Sequence, residues 1–104
     1  MARFAFVYHG GAKPSDPADF DKIMTAWNAW YGSMGEALVD GGGPAGLSKT
    51  VSREGTADNG GSNPVAGLTI IDAADQAAAC KIAEQCPMVV DGTGSAEVVE
   101  ILSM

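Results

Sequence analysis

The chain has 104 residues, 46% of them hydrophobic, and thirteen acids against six bases give a formal charge of −7. That length fits a single domain over 1–104, with a real core but much surface left in water, which association with a second copy would help to cover. The six bases, Arg3, Lys13, Lys22, Lys49, Arg53 and Lys81, are scattered, which argues against a nucleic-acid partner, whose affinity comes from clustered Lys and Arg, and against an anionic membrane surface.

No stretch reaches the roughly 20 apolar residues of a membrane span. Met1 to Tyr8 lacks the long apolar core of a signal peptide and reads as entering the fold directly, so a cytoplasmic location is expected. Cys80 and Cys86 fall on different faces of one predicted helix and are expected to stay as free thiols, which suits a reducing cytosol. Two cysteines and one histidine at this spacing do not make a metal site. No cofactor is expected.

In chain order, Arg3–His9 reads as a strand: Phe4, Phe6 and Tyr8 alternate with Ala5, Val7 and His9. Both faces are largely apolar, which predicts a central strand. Asp16-Pro17 opens a helix, with Asp16 as cap, Pro17 at the first helical position, and Asp19 and Asp21 at the positive end of the dipole. Phe20, Ile23, Met24, Trp27, Trp30, Tyr31, Met34, Ala37 and Leu38 keep three-four spacing, and Gly41-Gly42-Gly43-Pro44 stops the helix.

Leu47–Arg53 reads as a second, weaker strand, and Glu54–Pro64 as a Gly-, Asn- and Ser-rich hairpin connection. Val65–Ile71 is the predicted third strand. Asp72 is the expected cap of a second helix, Ala73–Gln85, with Ala78 and Ile82 on its buried side, ended by Cys86-Pro87. Met88–Val90 reads as a short extended piece, Asp91–Gly94 as a turn, and Glu97–Leu102 as the last strand.

The order is β-α-β-β-α-β. The expected fold class is α+β: a ferredoxin-like antiparallel sheet with two helices on one face. The other face then carries Ala5, Val7 and Val99 with no helix to cover them. A second subunit is the natural cover, giving a homodimer through the sheet face, a dimeric α/β barrel with an isologous interface.

The chain resembles YCII-related proteins of the DGPF type over nearly its whole length. The resemblance rests on Phe4-Ala5-Phe6-Val7-Tyr8, Trp27-Asn28-Ala29-Trp30, Gly41-Gly42-Gly43-Pro44 and Ser48-Lys49-Thr50-Val51. It continues through Gly67-Leu68-Thr69-Ile70-Ile71, Cys86-Pro87 and Glu97-Val98-Val99-Glu100. It implies a ferredoxin-like dimeric barrel and, because the family is largely uncharacterised, little about activity. Two departures matter. The Asp-Gly-Pro-Phe tetrapeptide is replaced by Asp58-Asn59-Gly60-Gly61-Ser62-Asn63-Pro64. Some similar proteins carry a first-helix histidine suspected to act with an aspartate, but here that region offers Trp27 and Trp30, so no such dyad transfers.

His9 is the only side chain that titrates near neutral pH unperturbed. At the end of its strand beside Gly10-Gly11, and with Asp40, Asp72 or Asp91 as candidate partners, it is the candidate for proton transfer in a cofactor-free enzyme. The structural alternative is a strand-end residue bonded to backbone or solvent. Trp27, Trp30 and Tyr31 are candidate walls of a small-molecule pocket, with Tyr8 and His9 as its polar groups; the alternative is core packing, which Trp27 at the stripe centre fits better than Trp30 at its edge. The opposing functional reading is a non-catalytic dimeric interaction module with a vestigial pocket. Gly41-Gly42-Gly43 follows a helix, so it reads as a stop and not as a phosphate cradle. Asp72, Asp75 and Glu84 read as caps and solvated surface, Cys86 as a buried structural thiol, and no Gly-x-Ser-x-Gly elbow occurs.

Overall fold

The apolar first strand takes the middle of the sheet. In the computed structural model, which describes residues 1–11 and 15–103, β1 (Ala2–Gly10) pairs with a strand on each side. Lys13, one of the scattered bases, lies outside the described residues. The fold is mixed α+β. After β1 come α1 (Pro17–Met34), a 3-10 turn (Gly35–Ala37), β2 (Leu38–Asp40), β3 (Thr50–Ser52), β4 (Gly55–Ala57), β5 (Gly67–Ala73), α2 (Gln76–Ala83), α3 (Pro87–Val90) and β6 (Gly94–Ile101). Four strands form an antiparallel sheet in the order β2-β5-β1-β6, while β3 and β4 pair only with each other.

Strand alternation sorts β1 into two faces. Phe4, Phe6 and Tyr8 lie buried with Thr69, Ile71 and Ala73 of β5 and Trp30, Ala79, Ala83, Cys86 and Met88 from the helical side. Asp16 caps α1 by accepting the Asp19 N–H at 2.9 Å, and Pro17 sits in its first turn, where its missing N–H costs nothing. Asp75 caps α2 by accepting the Ala78 N–H at 2.8 Å.

The other face carries Ala5, Val7, Leu68, Ile70, Val99 and Ile101 in register, with Ala5 opposite both Ile70 and Val99. Two polar pairs flank this strip: Arg3 with Asp72 at 3.0 Å and His9 with Glu97 at 3.1 Å. Among the described residues no helix covers it, and Leu68, Val99 and Ile101 stay 44%, 40% and 41% exposed. The molecule is accordingly 20 Å thick against 44 and 42 Å in its other dimensions, about the depth of one sheet plus one helix layer.

Several element boundaries differ from those read in the sequence. The first helix ends at Met34, not Leu38, because Gly35 takes φ +55°. Leu38, whose spacing continues the helical stripe, instead starts β2 and packs opposite Ile71. The second strand of the sheet is therefore Leu38–Asp40. Within Leu47–Arg53 only Thr50–Ser52 is a strand, and it belongs to the separate hairpin with Gly55–Ala57. Asp72 does not cap a helix; it remains in β5 and accepts from the Arg3 guanidinium across the ladder, and Asp75 caps α2 three residues later. Met88–Val90 is helical, because Pro87 starts a turn whose N–H groups at Val89 and Val90 bond the Cys86 carbonyl. Cys80 is exposed and Cys86 buried, and both are free.

Candidate functional site

A cavity of about 550 Å³ opens on the helical side of the sheet, at the end of β1. Three chain segments frame it. The first is α1, which contributes Phe20, Ile23, Met24, Ala26, Trp27 and Tyr31. The second is Gly41-Gly42-Gly43-Pro44 with Ala66-Gly67. The third is the α3–β6 turn with Pro87, Met88, Asp91 and Thr93.

Glycines let these segments come this close. Gly67 lies opposite Tyr8 in the ladder, and a Cβ there would stand 3.0 Å from the Gly43 carbonyl oxygen and 3.4 Å from the Tyr8 ring. Gly42, at φ +66°, passes directly over the Leu68 carbonyl. The run Gly41–Gly43, which as sequence reads as a helix stop, is thus one wall of the cavity.

The aromatic residues form a continuous cluster. Tyr8 meets Trp27 edge-on at 5.1 Å, Trp27 lies 5.8 Å from Tyr31, and Trp30 stacks on Phe6 at 6.0 Å. Their polar atoms are spent internally. The Tyr8 hydroxyl donates to Thr69 Oγ1 at 2.8 Å, Thr69 donates to the Gly41 carbonyl at 3.1 Å, and the Tyr31 hydroxyl donates to that same carbonyl at 3.2 Å. Burial pushes both phenols above the ordinary tyrosine range, so they are neutral hydroxyls near pH 7. Among the described residues the charged groups of the lining are Lys22 and Asp91. Asp91 Oδ1 accepts from the Thr93 hydroxyl at 2.6 Å and the Thr93 N–H at 2.9 Å, which holds its carboxyl below the usual range.

The four residues singled out in the sequence do not share one place. Tyr8 and Trp27 line the cavity. Trp30 does not: it is buried in the core, and its indole N–H donates to the Ile82 carbonyl at 3.2 Å. The roles expected for the two tryptophans are reversed, because α1 turns the Trp30 side of its stripe onto Phe6 and leaves Trp27 over the shortened end of β5. His9 follows Tyr8 directly in a strand, so its ring projects from the opposite face. There Nδ1 lies 3.2 Å from the Pro64 carbonyl oxygen and Nε2 lies 3.1 Å from Glu97 Oε1. Both neighbours are acceptors, so both contacts are hydrogen bonds when the ring is an imidazolium. None of Asp40, Asp72 and Asp91 is its partner.

Met88 and Thr93 are lining residues that the sequence reading did not single out, and Asp91, read there as a partner for His9, lines the cavity instead. The signal available for them was the Asp-Gly-Thr-Gly turn at 91–94, whose first residue bonds the third. Among the described residues no group of three His, Cys, Asp or Glu side chains is placed to hold a metal, and no described helix is long and apolar enough to cross a membrane. Compared with protein-family models, with curated proteins and with solved structures, the chain matches none.

Proposed function

We propose that the chain is a small-molecule-binding domain whose ligand sits in the cavity between α1 and the end of β1, and that two copies pair through the open sheet face. The observation that carries the binding role is the cavity itself. Its volume lies inside the range of ligand sites, and its walls are apolar side chains and glycine backbone with few polar groups.

The strand order β2-β5-β1-β6, joined by α1 and α2, supports a ferredoxin-like reading with the β3–β4 hairpin as an insertion. A YCII-related assignment is consistent with that arrangement. Pairing is supported by the uncovered strip around Ala5, Ile70 and Val99 and by the β3–β4 hairpin, whose Val51 is 76% exposed. A two-stranded hairpin is marginal by itself in water, so it too gains from a partner. The radius of gyration of 14.8 Å exceeds the roughly 13 Å usual for a domain of this size, as a protruding arm requires.

Proton transfer by His9 does not follow from this cavity, because the imidazole is on the other side of the sheet. The second reading, a non-catalytic module whose pairing face is its only binding surface, is favoured by that exposed apolar strip. Native mass spectrometry of protein purified from cells separates the two. A co-purifying small molecule, displaced on denaturation, supports the binding role. A ligand-free dimer that binds none of a panel of small apolar compounds refutes it. Light scattering after size exclusion tests the pairing, and a monomer at 100 times the assay concentration, roughly 10⁻⁴ M on the affinity scale of weak dimers, rejects it.

A further inference from the structure

We infer that the cavity selects a flat, uncharged aromatic molecule, with any ionised group of the ligand left at the rim. This deepens the binding role proposed above and rests on it. The first ground is the wall. Tyr8, Phe20, Trp27 and Tyr31 offer ring faces and edges, and Met24 and Met88 offer thioethers. Aromatic pairs gain beyond their buried area through edge-to-face and offset contacts, and sulfur adds favourable contacts with ring edges.

The second ground is the polar inventory. The Tyr8, Thr69 and Tyr31 hydroxyl protons are all committed, and the Gly41 carbonyl already accepts two of them. The backbone N–H of Gly42 is held by Asp40 Oδ1 at 2.8 Å and that of Gly11 by the Thr93 carbonyl at 3.0 Å. Among the described residues no buried side-chain nitrogen or oxygen lacks a partner. A carboxylate or phosphate placed inside would find none of these protons free and would lose most of its hydration uncompensated. Among the described residues the charged groups of the lining are Lys22 and Asp91, of opposite sign, so an ionic substituent finds its partner there and not against the rings.

Three probes on one fused-ring skeleton test this by titration calorimetry at pH 7: the flat 2-naphthol, the flat anion 2-naphthoate and the puckered, saturated decahydro-2-naphthol. The expected order is 2-naphthol tightest, with the anion and the saturated alcohol each at least about tenfold weaker, a difference of about 1.4 kcal/mol. Equal or tighter binding of 2-naphthoate overturns the exclusion of charge. Equal or tighter binding of the saturated alcohol overturns the aromatic selection. Either result leaves the binding role standing, whereas saturable binding of none of the three removes the binding role and this inference with it. Ala26→Trp and Met24→Trp place bulk in the cavity from outward positions of α1, and circular dichroism checks that each folds. Both are expected to abolish 2-naphthol binding, and unchanged affinity in a folded variant would put the site elsewhere and overturn the inference.

Discussion

Three consecutive glycines, Gly41, Gly42 and Gly43, look equivalent in the sequence, yet the structure gives them very different tolerance for a methyl group. At Gly42 the backbone has φ +66°, and a Cβ would overlap the Leu68 carbonyl oxygen and stand 3.0 Å from the Leu68 carbonyl carbon. The left-handed conformation alone costs an alanine about 1–2 kcal/mol. The overlap is with backbone, so it is relieved only by lifting the turn after β2 away from β5. That movement threatens the short β2–β5 ladder, whose pairs are Leu38↔Ile71 and Asp40↔Ile70, and each hydrogen bond lost there removes about 1 kcal/mol. Gly42→Ala is therefore expected to cost about 3 kcal/mol. At Gly41 a Cβ would make ordinary contact with the Tyr31 ring at 3.8 Å, and at Gly43 it would meet nothing within 4 Å. Gly43→Ala should be neutral or stabilise by about 0.5 kcal/mol through the entropy of the unfolded chain, and Gly41→Ala should stay within about 0.5 kcal/mol of the parent. Urea unfolding followed by tryptophan fluorescence reads all three as midpoint shifts at constant slope. The reasoning fails if Gly42→Ala unfolds with the parent, or if the three variants lose stability equally.

Both tyrosines of the chain are pushed up by burial. The fold thus favours the neutral phenols, and their contribution to stability is intact below the unfolded value of about 10 and lost as pH rises above it; absorbance at 295 nm should show phenolate appearing together with loss of circular dichroism, and titration near 10 in a folded protein would contradict this. Trp30→Ala should cost about 3–5 kcal/mol, since it empties a core position and removes the bond to the Ile82 carbonyl, while Trp27→Ala should cost less and weaken binding in the cavity; equal losses in a denaturation series would show that the two are not placed differently. His9→Ala should leave ligand affinity unchanged and cost about 1 kcal/mol through the contacts to Pro64 and Glu97, and a loss of affinity measured by calorimetry would tie His9 to the cavity. Leu68→Glu, on the exposed strip, should convert the proposed dimer to a monomer in light scattering with the far-ultraviolet spectrum preserved; a persistent dimer would move the interface elsewhere.

The central place of β1, the Asp16-Pro17 helix start and the sheet's apolar far side were legible because each rests on local chemistry or strict alternation. The region 35–57 was not. Leu38 continues the three-four stripe of α1, so periodicity extends the helix through it, and only the positive φ of Gly35 and the pairing with Ile71 decide otherwise. The strand pattern of Leu47–Arg53 is real over Thr50–Ser52 but is spent on a hairpin that pairs only with itself, which no residue-level pattern reveals. Asp72 and Asp75 are equally good caps on paper. A cross-strand partner at Arg3 takes the first, and that contact between residues far apart in sequence is invisible to local reading.

The site repeats the same lesson at the scale of one residue. As sequence, Tyr8 and His9 read as one group because they are adjacent and polar, but in an extended strand adjacency means opposite faces. Tyr8 falls with Trp27 in a wall that has no proton to exchange near neutral pH. His9 falls with Glu97 beside the strip proposed to meet a second copy. Binding in the cavity and pairing across the sheet therefore draw on different residues of the same strand. Each has its own variant, Met24→Trp in the one and Leu68→Glu in the other, and each variant should leave the other property untouched. A protein in which both properties fail together in both variants would have its ligand held across the sheet by two copies, and the separation argued from strand alternation would be wrong.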